Sequence, residues 1–361
     1  MIKPPAPNGQ STTNGVAARA IMLFALLGLV LGMPTMGNAQ QASKTPTKNG
    51  SVINFREELR QLVINIGEFA RSGKPDFKII AEDALGIVVK ADPEDEDRMF
   101  PAKTLIVNID GILQPEVSTL VSKKQVTDES IKLRDNAINI AASEGLSVLA
   151  LEFAEGQKEI LDAYTKDAQR GIVPFVAKNM SLSSIPDYPK NVFNNNSESI
   201  TTLKDIKNFL YLENTQRFGS MRDYIKAIHD TDYDVIIVNV YHGRDPLTAN
   251  EVRQLKYKKT GGRRLVFATM NVTTAASSLY YWKKDWKEGS PAFIDLPLRS
   301  DPDSHRTHYW DPEWQSILYG NATSYIAGIV TLGFDGVVMR GLNGWRYWET
   351  GENEEDQDAI E

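Results

Sequence analysis

The sequence predicts an α/β protein of the (β/α)8 barrel class, from the alternation of two patterns. Eight short runs rich in β-branched and aromatic residues recur along the chain, and stretches of helical periodicity separate them. Several runs, such as DVIIVNV and RLVFATM, are almost continuously apolar, which is typical of parallel strands buried on both faces. The eight units fill about 300 residues, which suits a barrel of roughly 250 residues with insertions. The alternative is an open doubly wound sheet, although the sequence has neither a GxGxxG motif after a strand nor a P-loop.

The individual elements follow from the same patterns. The predicted strands cover residues 77–81, 104–109, 147–152, 172–177, 208–212, 234–240, 264–270 and 335–339. The predicted helices cover residues 54–71, 130–144, 157–169, 220–229, 248–256 and 315–331. The first helix is the clearest, because apolar side chains from Phe55 to Phe69 recur along one face. At its start, Asn54 and Glu57 have the spacing of a capping box.

Composition and charge exclude several classes of protein. The 361 residues include 40 Lys and Arg against 47 Asp and Glu, a net charge of -7. A protein that binds nucleic acid needs a basic surface to displace counterions from phosphates, so no nucleic-acid partner is expected. The chain has no cysteine, which excludes disulfides, thiolate metal sites and cysteine nucleophiles. His305 and His308 have no evident third ligand, so we expect neither a metal nor another cofactor.

The two ends of the chain have the composition of segments outside the barrel. An apolar stretch at residues 20–33 follows Arg19, no acidic residue occurs in the first 39 positions, and Gly37 and Ala39 suit a cleavage site. We therefore expect residues 1–39 to be a secretory signal peptide, with an uncleaved N-terminal anchor as the alternative. The mature protein is then secreted, periplasmic or extracellular, without a stable membrane span. Residues 40–52 are expected to be a disordered linker and residues 350–361 a disordered acidic tail, which leaves 53–349 as one barrel.

Acidic side chains follow the predicted strands, at the end where barrel enzymes build their active sites. Glycoside cleavage needs one carboxylic acid to protonate the leaving oxygen and a second carboxylate to attack or to activate water. The catalytic candidates are Glu82, Asp83, Asp110, Glu116 and Glu152. Glu82 or Asp83 has two alternatives, a cap of the following helix or an ion pair with Arg340 across the barrel mouth. A structural turn is the alternative for Asp110, which precedes a glycine. Other polar residues at predicted strand ends are Lys178, Asn179, Glu213, Asn239 and Asn271.

Motifs from residue 208 onward carry a resemblance to a known family. The most specific are YWDPEWQ at residues 309–315 and GFDG at residues 333–336. Together with NFLYLENTQ and DYDVIIVNVYHGRDPLTANEVRQLK, they resemble the endo-α-1,4-polygalactosaminidase type of glycoside hydrolase, a (β/α)8 barrel. The segment NFREELRQLVINIGEFARSGKPDFKIIAEDALGI resembles the helix and strand that follow the last of the family's blocks, but here it comes first. The resemblance therefore implies a circular permutation, in which strands 335–339 and 77–81 are neighbours and both chain ends lie on the rim of the site.

The family's acidic motifs are altered in this chain. Where the family has GEAE, this sequence has TTAA at residues 273–276, and where the family has LDxVD, it has MRGLN at residues 339–343. The arginine at position 340 cannot act as an acid or a nucleophile at neutral pH. Conversely, Glu82 and Asp83 stand where the family usually has Gln and Asn, so the carboxylates have moved rather than vanished.

The resemblance leaves two function classes open. The first is a secreted hydrolase that cleaves α-1,4-linked galactosamine polymers with a relocated carboxylate pair. The second is a carbohydrate-binding or scaffolding barrel that has lost catalysis. In both classes the expected partner is a polysaccharide or oligosaccharide, with amino-sugar polymers among the candidates. Aromatic rings pack on the apolar faces of pyranoses, although some of the aromatic residues are expected to be core residues. The candidate sugar contacts are Tyr241, His242, Trp282, Tyr309, Trp310, Arg340, Asn343 and Trp345.

Overall fold

The computed structural model describes residues 47–48, 50–92, 94–119 and 127–351. The predicted signal peptide lies outside the described residues, and so do residues 352–361 of the predicted tail. Within the predicted linker, Thr47–Lys48 and Ser51–Val52 pair as two short antiparallel strands. No helix in these ranges is both long and apolar enough to cross a membrane.

Eight parallel strands form a nearly closed barrel, which confirms the predicted (β/α)8 class. In chain order they are β1 (Lys78–Glu82), β2 (Gly111–Pro115), β3 (Ser147–Phe153), β4 (Val173–Ala177), β5 (Phe209–Leu212), β6 (Val235–Val238), β7 (Leu265–Asn271) and β8 (Gly336–Arg340). The sheet runs in the order β4, β3, β2, β1, β8, β7, β6, β5, and every pairing is parallel. Phe175 on β4 and Phe209 on β5 meet across the seam, with ring centroids 5.4 Å apart.

Helices cover the outside of the barrel. They are α1 (Phe55–Gly73), α2 (Leu85–Val88), α3 (Lys103–Ile106), α4 (Asp128–Ser143), α5 (Gln157–Gln169), α6 (Met221–His229), α7 (Ala249–Leu255), α8 (Pro312–Leu318), α9 (Tyr325–Leu332) and α10 (Trp345–Thr350). The predicted capping box of α1 is half made. The Asn54 side chain accepts a hydrogen bond from the backbone of Glu57, but the Glu57 carboxylate contacts Arg60 and Lys90 instead of returning to the cap.

One predicted strand is wrong. Residues 104–109 form the short helix α3 and the turn after it, and β2 begins only at Gly111. The run TLIVNI is apolar on one side only, because Leu105 and Ile106 are buried while Val107 is 78% exposed. A short apolar run does not distinguish a buried helix turn from a strand, so the pattern at 104–109 fits either structure.

The predicted helix 315–331 is two helices. Helix α8 ends at Leu318, and α9 begins at Tyr325. Between them Gly320 has a φ of +93°, a left-handed conformation that ends the first helix and that glycine adopts without strain. Helix α9 precedes β8 and runs antiparallel to the strands of the barrel. Its start therefore lies beside the C-terminal ends of the strands.

The first and last strands of the barrel pair with each other. Gly336 of β8 pairs with Lys78 of β1, so the predicted neighbourhood of these two strands is confirmed. Any closed barrel requires this contact, so the permutation relative to the resembled family stays a prediction. The helix packed between β8 and β1 is the first in the chain. Arg56 near its start forms an ion pair of 2.9 Å with Glu349 of α10, which places both ends of the barrel domain at the carboxyl ends of the strands.

Candidate active site

The carboxyl ends of the strands form one rim, called the mouth here, and its centre is a cluster of three charged side chains. Arg340 ends β8, Glu82 ends β1 and Glu213 directly follows β5. The Nε atom of Arg340 lies 3.4 Å from Oε1 of Glu82, and its Nη1 atom lies 3.0 Å from Oε1 of Glu213. The predicted ion pair of Arg340 across the mouth is therefore present, with Glu82 as one partner.

Glu82 lies in a nearly closed environment. Its side chain is 12% exposed, and the hydroxyl of Tyr211 on β5 donates a hydrogen bond of 2.9 Å to Oε2. Burial raises the pKa of Glu82 above its usual range, although Arg340 and the Tyr211 hydrogen bond oppose the shift. Tyr211 and the carboxylates of Glu213 and Glu82 raise the pKa of Arg340, so this guanidinium stays charged. Glu82 thus holds a proton more readily than an exposed glutamate does.

Glu213 is more exposed than Glu82, with 26% of its side chain accessible. The side-chain amide of Asn239, directly after β6, donates to Oε1 at 3.1 Å. Its other oxygen, Oε2, is buried and has no hydrogen-bond partner within the described part of the chain. Because Glu82 and Glu213 touch the same planar guanidinium, their nearest oxygens lie within roughly 9 Å of each other. Carboxyl pairs of inverting glycosidases are separated by up to roughly 9.5 Å, so this pair is not too far apart for such a reaction.

Asp83 extends the site along the rim. Gln114 of β2 donates to its Oδ1 at 3.0 Å, and Asn343 donates to its Oδ2 at 2.7 Å. Asp83 has a φ of +49°, and Glu116, directly after β2, has a φ of +54°. Left-handed backbone costs a non-glycine residue on the order of 1 kcal/mol, and such residues concentrate at functional sites. Two of them lie side by side at the ends of adjacent strands of this mouth.

Glu152 ends up outside the mouth. Its side chain is fully buried and accepts hydrogen bonds from the backbone of Ser118 and Thr119, both at 2.9 Å. Beside it lies the carboxyl of Asp167, which is on α5 on the outer face of the barrel. The side chain of Glu152 therefore points away from the interior, toward the helix layer. In this position it anchors the loop after β2 and does not face the central cluster.

Asp110 lies at the opposite end of the barrel. It directly precedes β2, so its predicted place at the mouth, which depended on the strand predicted at 104–109, is wrong. Its Oδ2 atom accepts from the guanidinium of Arg71 and from the backbone of Ile79, both at 2.8 Å. These contacts join the end of α1 to the start of β1.

A cavity of about 470 Å³ also opens at this end, lined in part by Lys78, Asp110 and Glu144, far from the central cluster.

Several of the predicted sugar contacts are core residues. Tyr309, Trp310 and Trp345 are buried, and the Tyr309 hydroxyl donates to the backbone oxygen of Phe55 at 2.9 Å. His242 is buried too, with Nδ1 2.7 Å from the Thr215 hydroxyl and Nε2 2.7 Å from the backbone oxygen of Gly219. The predicted contacts that remain partly exposed are Tyr241, Trp282, Arg340 and Asn343.

Sequence reasoning did not select two residues of the mouth, Glu213 and Tyr211, as site candidates. Glu213 was among the strand-end residues, but nothing in the sequence distinguished it from the others. Tyr211 lies inside the apolar run FLYL and resembles a core residue, which it also is, since it is fully buried. The available signal for Glu213 was its position directly after a fully buried strand, because such residues lie on the mouth of a barrel.

Comparisons with known proteins show limited similarity. No family model matches the chain. An uncharacterized protein of Deinococcus radiodurans is 34% identical over 126 residues, which are 34% of this chain and 36% of that protein. An uncharacterized protein of Thermotoga maritima is 26% identical over 81 residues, which are 22% of this chain and 24% of that protein. The chain thus matches less than two thirds of the length of either relative, and neither name assigns an activity. The resemblance to glycoside hydrolases stays a prediction.

Proposed function

We propose that the barrel mouth binds a polysaccharide and hydrolyses its glycosidic bonds, with Glu82 as the proton donor and Glu213 as the second carboxylate. The observation that carries this proposal is the contrast between the two carboxyl groups around Arg340. Glu82 is enclosed and has a raised pKa, whereas Glu213 has a buried oxygen without a partner in the described residues. Two carboxyl groups with different environments are what acid–base hydrolysis of a glycoside requires.

The surroundings of Glu82 suit a proton donor. In its neutral form the carboxyl can protonate the leaving oxygen, and a negative charge then develops on Glu82. Arg340 and the Tyr211 hydroxyl already contact this carboxyl, so they stabilise the charge without rearrangement. Glu213 then either takes a proton from the water molecule that attacks the sugar carbon, or attacks that carbon itself. In the second case a water molecule, deprotonated by Glu82, later breaks the ester bond between the sugar and Glu213.

The proposed substrate is an amino-sugar polymer. This part of the proposal rests on the resemblance to the polygalactosaminidase type, together with the charge of the mouth. Asp83 receives hydrogen bonds from two neutral amides, those of Gln114 and Asn343, and Glu213 shares its cation with Glu82. An ammonium group on a sugar is attracted to such carboxylates.

A second candidate function is carbohydrate binding without cleavage, and Arg340 itself favours it. The guanidinium that bridges both carboxylates stabilises the ionised form of Glu82 and so opposes proton donation by that residue. In this alternative the mouth is a neutralised, preorganised polar surface that receives sugar hydroxyls.

The test compares cleavage and binding in matched variants. The purified protein is incubated with galactosamine polymers, and new reducing ends are counted. We expect Glu82→Gln and Glu213→Gln each to lower the rate by at least about a hundredfold, since each removes a required proton donor or acceptor. Glu144→Gln is the control, because Glu144 is exposed and lies at the opposite end of the barrel.

The outcomes separate the two candidates. Binding of the polymers without release of reducing ends supports the second candidate over the first. Cleavage that Glu82→Gln and Glu213→Gln leave unchanged contradicts the assignment of these residues. A protein that neither binds nor cleaves sugar polymers contradicts both candidates.

A further inference from the structure

A cluster of tyrosines lies beside the mouth. It consists of Tyr241 after β6, Tyr280 and Tyr281 in the long segment after β7, and Tyr325 at the start of α9; we call it the tyrosine wall. The ring of Tyr280 lies 5.5 Å from that of Tyr281 and 6.0 Å from that of Tyr325, measured between centroids, and both pairs are edge-to-face. The rings of Tyr281 and Tyr325 lie 6.3 Å apart.

The wall adjoins the side of the mouth that holds Glu213. Asn239 connects the two, because its amide donates to Oε1 of Glu213 at 3.1 Å and its Oδ1 accepts from the backbone of Tyr241 at 2.9 Å. Tyr325 is buried in the wall, and this burial is the main cause of its raised pKa, to which neighbouring tyrosines and Glu213 add. Burial is also the main cause of the raised pKa of Tyr280 and of Tyr281, and Tyr241 is among the smaller contributions to both. The wall therefore begins beside Glu213 and extends outward to Tyr280.

Tyr280 combines exposure with a fixed orientation. Its side chain is 55% exposed, yet its hydroxyl donates a hydrogen bond of 3.0 Å to the backbone oxygen of Thr323 and its ring contacts two other rings. Tyr281 behind it is fixed as well, because its hydroxyl accepts from the backbone of Ala276 at 3.2 Å and its ring packs on Trp314. An exposed ring that is already ordered loses little conformational entropy when a ligand covers it.

We propose that the exposed face of Tyr280 is a platform on which one pyranose ring of a bound sugar chain stacks, outward from Glu213 along the bound chain. This inference rests on the proposed function and adds a subsite to it. The chemistry of the subsite is stacking, because Thr323 occupies the Tyr280 hydroxyl and what the exposed side chain offers a ligand is an apolar ring. The subsite therefore contacts the apolar face of a sugar. Only chains long enough to extend past the two carboxylates can reach it.

The experiment measures affinity as a function of chain length. Binding of galactosamine and of its oligomers of increasing length is measured by calorimetry for the wild type, Tyr280→Ala, Tyr280→Phe and Tyr257→Ala. Tyr257 is a matched control, since it is 49% exposed and follows α7 at the opposite end of the barrel. We expect Tyr280→Ala to weaken binding of long oligomers roughly five- to tenfold and to leave the single sugar unaffected. Tyr280→Phe and Tyr257→Ala should stay close to the wild type.

Three other results would overturn the proposal, and they show whether the subsite alone or the proposed function as well has failed. If Tyr280→Ala binds long oligomers as tightly as the wild type, Tyr280 is not a subsite, while the proposed function stands. If Tyr280→Ala weakens all lengths equally and lowers the unfolding temperature, the residue is structural. If the wild type binds no sugar of any length, the proposed function fails and the subsite fails with it.

Discussion

At the mouth, Arg340 is the shared ion-pair partner of Glu82 and Glu213. Among the described residues, both carboxylates have the guanidinium of Arg340 as their cation within 4 Å. Glu82 is also nearly enclosed. Removing one member of a largely buried ion pair leaves the other without compensation and destabilises the fold. The same contacts that hold the proposed catalytic pair in place therefore contribute to the stability of the barrel.

Replacing Arg340 is expected to destabilise the protein in a pH-dependent way. In Arg340→Gln, the pKa of Glu82 rises further, because the opposing cation is gone and burial remains. A carboxyl whose pKa is raised by folding contributes stability at low pH, and the contribution is lost as the pH rises through the folded pKa. The drop in unfolding temperature relative to the wild type should therefore be larger at about pH 8 than at about pH 5.

A double variant tests the physical reason. In Arg340→Gln with Glu82→Gln, the buried carboxyl is absent, so most of the extra loss at high pH should disappear. Arg346→Gln, at an exposed arginine of α10, is the control for removing a positive charge. An Arg340→Gln protein whose stability loss is the same at both pH values contradicts this account of Glu82.

The buried pair Glu152 and Asp167 predicts a second pH effect. Asp167 is fully buried, its Oδ1 accepts from the Ser118 hydroxyl at 2.5 Å, and burial together with Glu152 raises its pKa to about 7. The unfolded chain releases this proton at a lower pH, from a usual pKa of 3.8. The folded protein therefore holds an extra proton between these two values, and its stability falls as the pH rises through that window.

Asp167→Asn removes this titration and keeps an acceptor for Ser118. Its unfolding temperature should increase relative to the wild type as the pH rises from about 4 to about 8. Asp162→Asn on the same helix is the control, since Asp162 is on the surface and its pKa is lowered. Parallel pH profiles for Asp167→Asn and the wild type would contradict the account, because they would mean that Asp167 does not hold the extra proton in the folded protein.

Among the secondary-structure elements, β8 is closely packed against both of its neighbours. A side chain at Gly336 meets the backbone oxygen of Lys78 on β1 and the ring of Phe267 on β7. The strand that ends in Arg340 can therefore approach both neighbours only because its first residue has no Cβ. By contrast, at Gly328 inside α9 no atom outside the backbone of that helix lies within 4 Å of the position that a Cβ would occupy.

These two glycines form a matched pair for a stability measurement. Gly336→Ala should lower the free energy of unfolding by about 1–3 kcal/mol, because the methyl group forces two packed strands apart. Gly328→Ala should be neutral or stabilise by up to about 1 kcal/mol, because alanine favours a helix interior. Both values come from urea denaturation, and equal effects of the two changes are incompatible with the close packing of β8.

The elements also show where sequence patterns succeed and fail. Seven of the eight predicted strands lie on true strands, because DVIIVNV and similar runs are long, apolar and β-branched. The run at 104–109 failed because its one buried side fits a helix turn as well as a strand. The helix predicted at 315–331 is interrupted at Gly320, where a glycine with left-handed backbone begins the polar segment GNATS between the two helices.

For the molecule as a whole, the sequence predicts the barrel better than it predicts the site. Strand ends locate the mouth, but the direction of each side chain depends on the tilt and register of its strand. Glu82 and Glu152 both lie near the end of a strand, yet one faces the central cluster and the other faces the outer helices. The aromatic motif YWDPEWQ, a strong mark of the resembled family, contributes Tyr309 and Trp314 to the core instead of to the mouth.

The central claim is that sugar binds at the mouth, between Glu82 and Glu213. The most direct measurement is a crystal structure of Glu82→Gln soaked with galactosamine oligomers, in which the sugar can bind but is not expected to be cleaved. We predict density for a sugar chain that contacts residue 82 and Glu213 and extends along the tyrosine wall. An empty mouth at saturating oligomer, or a sugar bound instead in the cavity beside Asp110, would contradict the account.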